Sequence, residues 1–317
     1  MLDKVRVAVV GAGQFGRNHI RVAAQSPRVE LVAVVDIDLQ RASEAGWLAL
    51  TDYRDLPGKV DAAIVAAPTA VHAEIGCALL EAGIDVLVEK PITADLASAD
   101  RLIAAAAANG RILQVGHLER FNPAVIALEK LATLPLFFEV HRLSVFSPRS
   151  LDVDVVLDLM IHDLDIVLSL ARSELEEVRA AGISILSSRI DIANVRLQFK
   201  DGCVANLTAS RVSTERVRKL RLFQPQQYIS LDYAKQEVVR FSVGEGRQIS
   251  FEQAPVGKGE PLSLQFEAFI DSVVSRQSPK LDGPAARRTL EVALSILAKI
   301  EEHSGIVSRT LASACKP

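Results

Sequence analysis

Over the first third of the chain, apolar runs alternate with segments of helical periodicity. Val5 to Val10 is a largely apolar run closed by Gly11 and reads as a buried parallel strand. Gln14 to Gln25 follows with a helical pattern. Leu31 to Val35 is a second buried strand, closed by Asp36, and Ala62 to Ala66 is a third, stopped by Pro68. Ala73 to Ala82 is helical and ends at Gly83, a suitable left-handed cap. Asp85 to Val88 is a fourth strand, Ala94 to Ala108 an alanine-rich helix closed by Asn109-Gly110, and Ile112 to Val115 a fifth strand. This alternation predicts a doubly wound parallel sheet, an α/β architecture, over residues 1–118.

Beyond residue 118 the pattern changes. Residues 122–131 and 155–170 read as helices. Phe137 to Val145, Val178 to Ile185, Ile192 to Phe199, Val204 to Ser210, Lys219 to Phe223, Tyr228 to Leu231 and Glu237 to Val243 read as strands. Turns join several of them directly, Lys200-Asp201-Gly202 most clearly, as in hairpins. Leu262 to Ser275 and Pro284 to His303 are the last two helices. The expectation for residues 119–317 is an α+β domain on a large, open, mostly antiparallel sheet.

Composition narrows the function classes. The 317 residues are 49% hydrophobic, with a net charge of −3 and both signs mixed, so no broad basic field invites nucleic acid. Cys77, Cys203 and Cys315 form neither a disulfide framework nor a metal spacing, as expected in a reducing cytoplasm. The first residues have no long apolar signal segment, and no apolar run has the roughly 20 residues a membrane helix needs.

Gly11-Ala-Gly13-Gln14-Phe15-Gly16 stands between the first strand and first helix, where a glycine loop has a mechanical meaning. Gly11 permits the tight turn, Gly13 lets the backbone approach a pyrophosphate, and Gly16 allows close helix–strand packing. The helix N-terminus stabilises phosphate charge. Asp36, twenty residues after Gly16, can accept hydrogen bonds from ribose hydroxyls and would repel a 2′-phosphate. Ile37 offers no compensating cation, which favours NAD over NADP. The loop Ala66-Ala67-Pro68 follows the third strand at the cofactor edge. His72 can contact cofactor or substrate, or simply be bonded within its helix.

Lys90 follows the buried run Val86-Leu87-Val88, where it can donate to a developing alkoxide, and Pro91 fixes the turn that aims it. An ordinary solvated lysine is the alternative. Asp158, His162 and Asp165 are spaced i, i+4 and i+7, on one helix face amid Leu157, Leu159, Ile161, Leu164 and Leu168. Burying such a stripe is costly unless its groups are paired or line a cavity. A histidine one turn from an aspartate can act as a base, the carboxylate stabilising the imidazolium; a core histidine bonded to Asp165 is the alternative. No histidine or cysteine cluster supports a metal.

In order and spacing, the Gly11-x-Gly13-x-x-Gly16 loop, Pro68…His72, Glu89-Lys90-Pro91 and Asp158-x-x-x-His162-x-x-Asp165 resemble the glucose–fructose oxidoreductase / inositol dehydrogenase / rhizopine catabolism (Gfo/Idh/MocA) family of NAD(P)-dependent oxidoreductases, over nearly the whole chain. The resemblance implies an NAD-binding Rossmann domain, residues 1–118, and a substrate-binding and oligomerisation domain, residues 119–317, whose open sheet commonly builds homodimers or homotetramers. It implies Lys90, Asp158 and His162 as catalytic residues. It also implies Gly11, Gly13, Gln14, Phe15, Gly16, Asp36, Ala67, Pro68, His72, Glu89 and Lys90 around the cofactor. Many members carry glycine two residues after the motif aspartate, where this chain has Met160. That version, with Val115-Gly-His117-Leu-Glu-Arg120-Phe-Asn122-Pro123, is similar to the sugar-nucleotide branch, which includes UDP-N-acetylglucosamine 3-dehydrogenases. The branch implies that Lys90, His117, Arg120, Asn122, Arg149 and His162 meet the substrate, arginine suiting phosphate through its planar donor fork. Oxidation of a free sugar or polyol such as inositol is the alternative within enzymes. A non-catalytic dinucleotide sensor is the alternative of another class.

Overall fold

The structure, a computed structural model, describes residues 4–147 and 153–314. They form two compact units. One comprises the chain up to Phe121 with Gly259–Leu290, the other Asn122–Lys258 with the chain from Glu291 on. Among the described residues, no helix is long and apolar enough to cross a membrane.

In the first unit the order is β1 (Val5–Val10), α1 (Gln14–Gln25), β2 (Val29–Val35), α2 (Leu39–Ser43), β3 (Leu48–Leu50), β4 (Ala62–Val65), α3 (His72–Glu81), β5 (Asp85–Glu89), α4 (Leu96–Ala108) and β6 (Leu113–Gly116). The strands pair in parallel in the order β3-β2-β1-β4-β5-β6. The order reverses at β1 and β4, where a ligand crevice opens beyond the strand ends in such sheets. Continuous apolar runs make these strands because both faces are covered: all four residues of β4 and all five of β5 are buried. β3, three residues long, has too little pattern to be read from the sequence.

The second unit follows with α5 (Pro123–Leu131), β7 (Phe137–Val145), α6 (Ile161–Leu170), β8 (Leu175–Ile183), β9 (Ile192–Phe199), β10 (Val204–Ser213), β11 (Val217–Gln224), β12 (Gln227–Asp232), β13 (Glu237–Val243) and β14 (Ile249–Gln253). Its eight strands are ordered β14-β13-β12-β11-β7-β10-β9-β8. Every neighbouring pair is antiparallel except β7 with β10. Period-2 alternation gives the sheet one buried face, where Val140, Leu197, Leu207, Leu222 and Ile229 join Leu128, Leu164 and Ile296 in one core. The other face carries a row of aromatic rings, Phe137, Phe223, Tyr228, Phe241 and Phe251, with successive centroids 4.9–5.8 Å apart. All five residues of β14 are exposed, so it lacks the half-buried alternation that reveals the other strands.

The last helices are α7 (Pro261–Ser275) and α8 (Gly283–Ala314), and the unit boundary falls within α8. α7 belongs to the first unit: its Leu262, Phe266, Phe269 and Ile270 share a core with Val7, Val9, Ile20 and Leu31. Arg28 adds ion pairs to Glu267 (3.0 Å) and Asp271 (2.8 Å). The boundary expected near residue 118 thus gains a return segment. Helical periodicity shows that α7 has an apolar face, but not which sheet receives it.

Candidate active site

The turn from β1 into α1 builds the nucleotide site. Gly11 has φ +98°, and a Cβ there would lie 2.6 Å from the Ala66 carbonyl oxygen. A Cβ at Gly16 would overlap the Gly11 carbonyl oxygen. Gly13 differs: as N-cap of α1 it has φ −66°, and among the described residues, its two chain neighbours aside, no atom lies within 4 Å of where its Cβ would stand. Among the described residues nothing demands glycine at 13, whereas a phosphate brought to the helix N-terminus does. This open cradle fits a dinucleotide. It belongs to a cleft of about 690 Å³ lined by Gly11, Gly13, Asp36, Ala67 and Pro68 among others. Gln14 and Phe15 are exposed beside it.

Asp36 closes β2. Its Oδ2 accepts the Ala12 N–H at 2.7 Å and its Oδ1 the Asp38 N–H at 2.9 Å. The carboxylate is therefore fixed against the glycine loop with lone-pair capacity left for ribose hydroxyls. Arg41, also lining the cleft, is paired with Asp38 at 3.1 Å. Arg41 stands five residues beyond Asp36, past position 37, and nothing in the sequence spacing marks it.

β5 delivers Glu89 and Lys90, and the Lys90–Pro91 peptide is cis. The Glu89 carboxylate points inward: Oε1 lies 2.8 Å from His19 Nε2, and Oε2 accepts the Lys90 N–H at 3.2 Å. His72 is buried, with Nδ1 3.0 Å from the Pro91 carbonyl oxygen and Nε2 2.8 Å from that of Ala67. It thus ties the Lys90-Pro91 turn to the wall of the nucleotide cleft. His117 is buried after β6. Burial first, then the charges of Lys90 and Arg120, push its pKa down to about 3, so the ring is neutral at physiological pH. Arg120 is half-buried and its carbonyl accepts from Lys280 Nζ at 2.9 Å.

In the second unit, Asp158 sits in a widened turn. The Ile161 N–H reaches back to the Val156 carbonyl, making Val156–Met160 a π-helical segment before α6 where a regular α-helix was expected. Such single π turns occur often at functional sites. Asp158 is half-buried, while His162, Asp163 and Asp165 are buried. Asp163 is held by Arg142 through Nε at 2.6 Å and Nη2 at 2.9 Å, a bidentate pair beneath the Tyr233 ring. Asn122 caps α5 by accepting the Ala124 N–H at 3.0 Å and donates to the Tyr233 carbonyl at 3.1 Å. Arg149 lies outside the described residues. Among those described, no group of three or more histidine, cysteine, aspartate or glutamate side chains could hold a metal. The sequence does not mark the buried pairs His19–Glu89 and Arg142–Asp163 as pairs, although Glu89 stands among the cofactor residues that the resemblance implies. Their signal was a polar residue on an otherwise buried face, visible for His19 three residues after Gly16.

Residues 5–117 match the oxidoreductase family, NAD-binding Rossmann fold, of the Gfo/Idh/MocA type, and residues 141–226 match the GFO/IDH/MocA C-terminal domain. UDP-N-acetylglucosamine 3-dehydrogenase of Acidithiobacillus ferrooxidans is 34% identical, with 94% of this chain and 97% of that protein covered. The solved structure of that dehydrogenase superposes with a TM-score of 0.89, covering 95% of this chain and 99% of that one at 33% identity. Inositol 2-dehydrogenase 1 of Saccharopolyspora erythraea is 34% identical over 92% of this chain and 93% of its own length. The chain belongs to the Gfo/Idh/MocA oxidoreductases, NAD(P)-dependent dehydrogenases that act on CH–OH groups.

Proposed function

We propose that the protein is an NAD-preferring dehydrogenase that oxidises a secondary hydroxyl of a sugar nucleotide, C3 of a UDP-N-acetylglucosamine-like substrate, to the ketone. The observation that carries this reading is the near full-length likeness, 34% identity over 94% of the chain, to a UDP-N-acetylglucosamine 3-dehydrogenase. Bound nicotinamide supplies the hydride acceptor. His162 takes the hydroxyl proton, Asp158 stabilises the imidazolium that forms, and Lys90 donates to the developing alkoxide. His117, Arg120, Asn122 and Arg149 are assigned to the substrate. His117 serves as a neutral imidazole, and the arginines serve the diphosphate. Asp36 favours NAD by receiving ribose hydroxyls and repelling a 2′-phosphate.

The open sheet face supports self-association. Its aromatic row ends in Phe251, 66% exposed, beside Ile249, 76% exposed, an apolar stripe that a homodimer or homotetramer would cover.

The test mixes purified protein with NAD or NADP and a panel of UDP-sugars, free sugars and myo-inositol, with and without a 2-oxo acid to recycle the cofactor. Reduction of NAD with UDP-N-acetylglucosamine is expected. Turnover of myo-inositol alone favours the polyol reading, for which the likeness to an inositol 2-dehydrogenase speaks. NAD binding without turnover of any panel member favours the sensor.

A further inference from the structure

β5 ends in a carboxylate that never reaches solvent. Glu89 is 6% exposed and His19, its partner from α1, is fully buried. The Glu89 carboxylate has little freedom to turn. Gly116 on β6 leaves it room, for a Cβ there would stand 2.6 Å from Oε1. His19 Nε2 holds Oε1 at 2.8 Å, and the Phe15 ring meets the His19 ring edge-on at 5.4 Å. The remaining oxygen, Oε2, accepts the N–H of Lys90 at 3.2 Å. A buried carboxylate without such partners is costly, so both contacts belong to one arrangement. Its output is the place of the Lys90 backbone, one peptide before Pro91, whose carbonyl His72 holds from the other flank.

We infer that His19 and Glu89 form a positioning pair that sets where the Lys90 ammonium stands during catalysis, so that Glu89 acts through Lys90 rather than on the dinucleotide. This rests on the reading of Lys90 as the alkoxide donor. The pair joins the helix that follows the phosphate loop to the strand that ends in the donor. Reacting groups must be placed to well under an ångström, so a small shift of the Lys90 backbone costs turnover rather than cofactor affinity.

The test uses the full chain and compares His19→Leu and Glu89→Leu with His19→Gln and Glu89→Gln, each also in a Lys90→Ala background. It reads kcat and KM with the sugar that the panel selects, and the Kd of NAD by calorimetry. The leucine variants are expected to lower kcat about 10–100-fold while the Kd of NAD stays within about twofold. The glutamine variants should recover kcat to within about fivefold, and every effect should shrink to within about twofold once Lys90 is alanine. Should the leucine variants fail to fold, the glutamine variants carry the test through their coupling to Lys90→Ala. Losses of equal size with and without Lys90, or a Kd of NAD that weakens in step with kcat/KM, overturn the inference alone. Lys90→Ala with undiminished kcat overturns both it and the role given to Lys90.

Discussion

The Asp36 carboxylate accepts the backbone N–H of Ala12 at 2.7 Å, joining the end of β2 to the phosphate loop. The residue assigned to the ribose is therefore also a strut of the loop assigned to the pyrophosphate. Asp36→Ala removes both contacts. Hydrogen bonds to charged groups contribute about 1.5–3 kcal/mol, so kcat/KM for NAD should fall at least about tenfold. The preference for NAD over NADP should narrow by a similar factor because the repelling charge is gone. Steady-state kinetics with both cofactors checks this; an unchanged ratio contradicts the role given to Asp36.

Gly13 and Gly16 separate ligand from fold. Among the described residues, chain neighbours aside, no atom lies within 4 Å of a Cβ at 13, whereas a Cβ at 16 would overlap the Gly11 carbonyl. Gly13→Ala should melt within about 2 °C of the parent yet bind NAD at least about tenfold more weakly. Gly16→Ala should lower stability outright, by about 2 kcal/mol or more. Thermal melts and calorimetric titration distinguish the two. A Gly13→Ala protein with unaltered NAD affinity would remove the pyrophosphate from this loop.

Arg142 and Asp163 are each 2% exposed and bonded at 2.6 Å. Arg142→Met leaves a buried carboxylate uncompensated and should cost about 3–5 kcal/mol in urea unfolding. Arg142→Met with Asp163→Leu should restore a large part of that, because an apolar pair needs no partner. Additive costs would contradict the pairing.

Asp191 makes the stability of the fold depend on pH. Burial pushes its carboxyl up, but the Ser187 hydroxyl and the N–H groups of Ile185, Leu186 and Ser187 outweigh this and hold it at about 2, below the ordinary 3.8. A lowered folded-state pKa stabilises above the unfolded value, and this contribution is lost as pH falls through about 2. The difference corresponds to about 2 kcal/mol. Urea unfolding at neutral pH and near pH 3 should show Asp191→Asn less stable than the parent at neutral pH, with a smaller loss on acidification. Parallel pH profiles would contradict it.

Much of the first unit was legible because its strands are apolar on both sides and its glycine loop has hard steric reasons. Val5–Val10 and Gln14–Gln25 stand where the pattern puts them. In the second unit, Phe137–Val145, Ile192–Phe199 and Glu237–Val243 also coincide with the alternation. What escaped was determined by partners distant in sequence. α7 packs on strands more than 200 residues earlier in the chain. Glu89 is turned inward by His19, seventy residues away, and the π turn under Asp158 has no residue pattern of its own. Motif spacing named Lys90 and His162, but the groups that hold their neighbours came only from the folded chain.

The most direct test of the proposed activity follows the hydride itself. UDP-N-acetylglucosamine carrying deuterium at C3 is incubated with the protein and NAD, and both products are weighed by mass spectrometry. One deuterium in the reduced cofactor and a 3-keto sugar nucleotide without it are predicted, with the transfer strongly slowed but still measurable in His162→Ala and Lys90→Ala. Deuterium retained in the sugar while NAD is reduced, or transfer undiminished in both variants, would contradict the proposed activity.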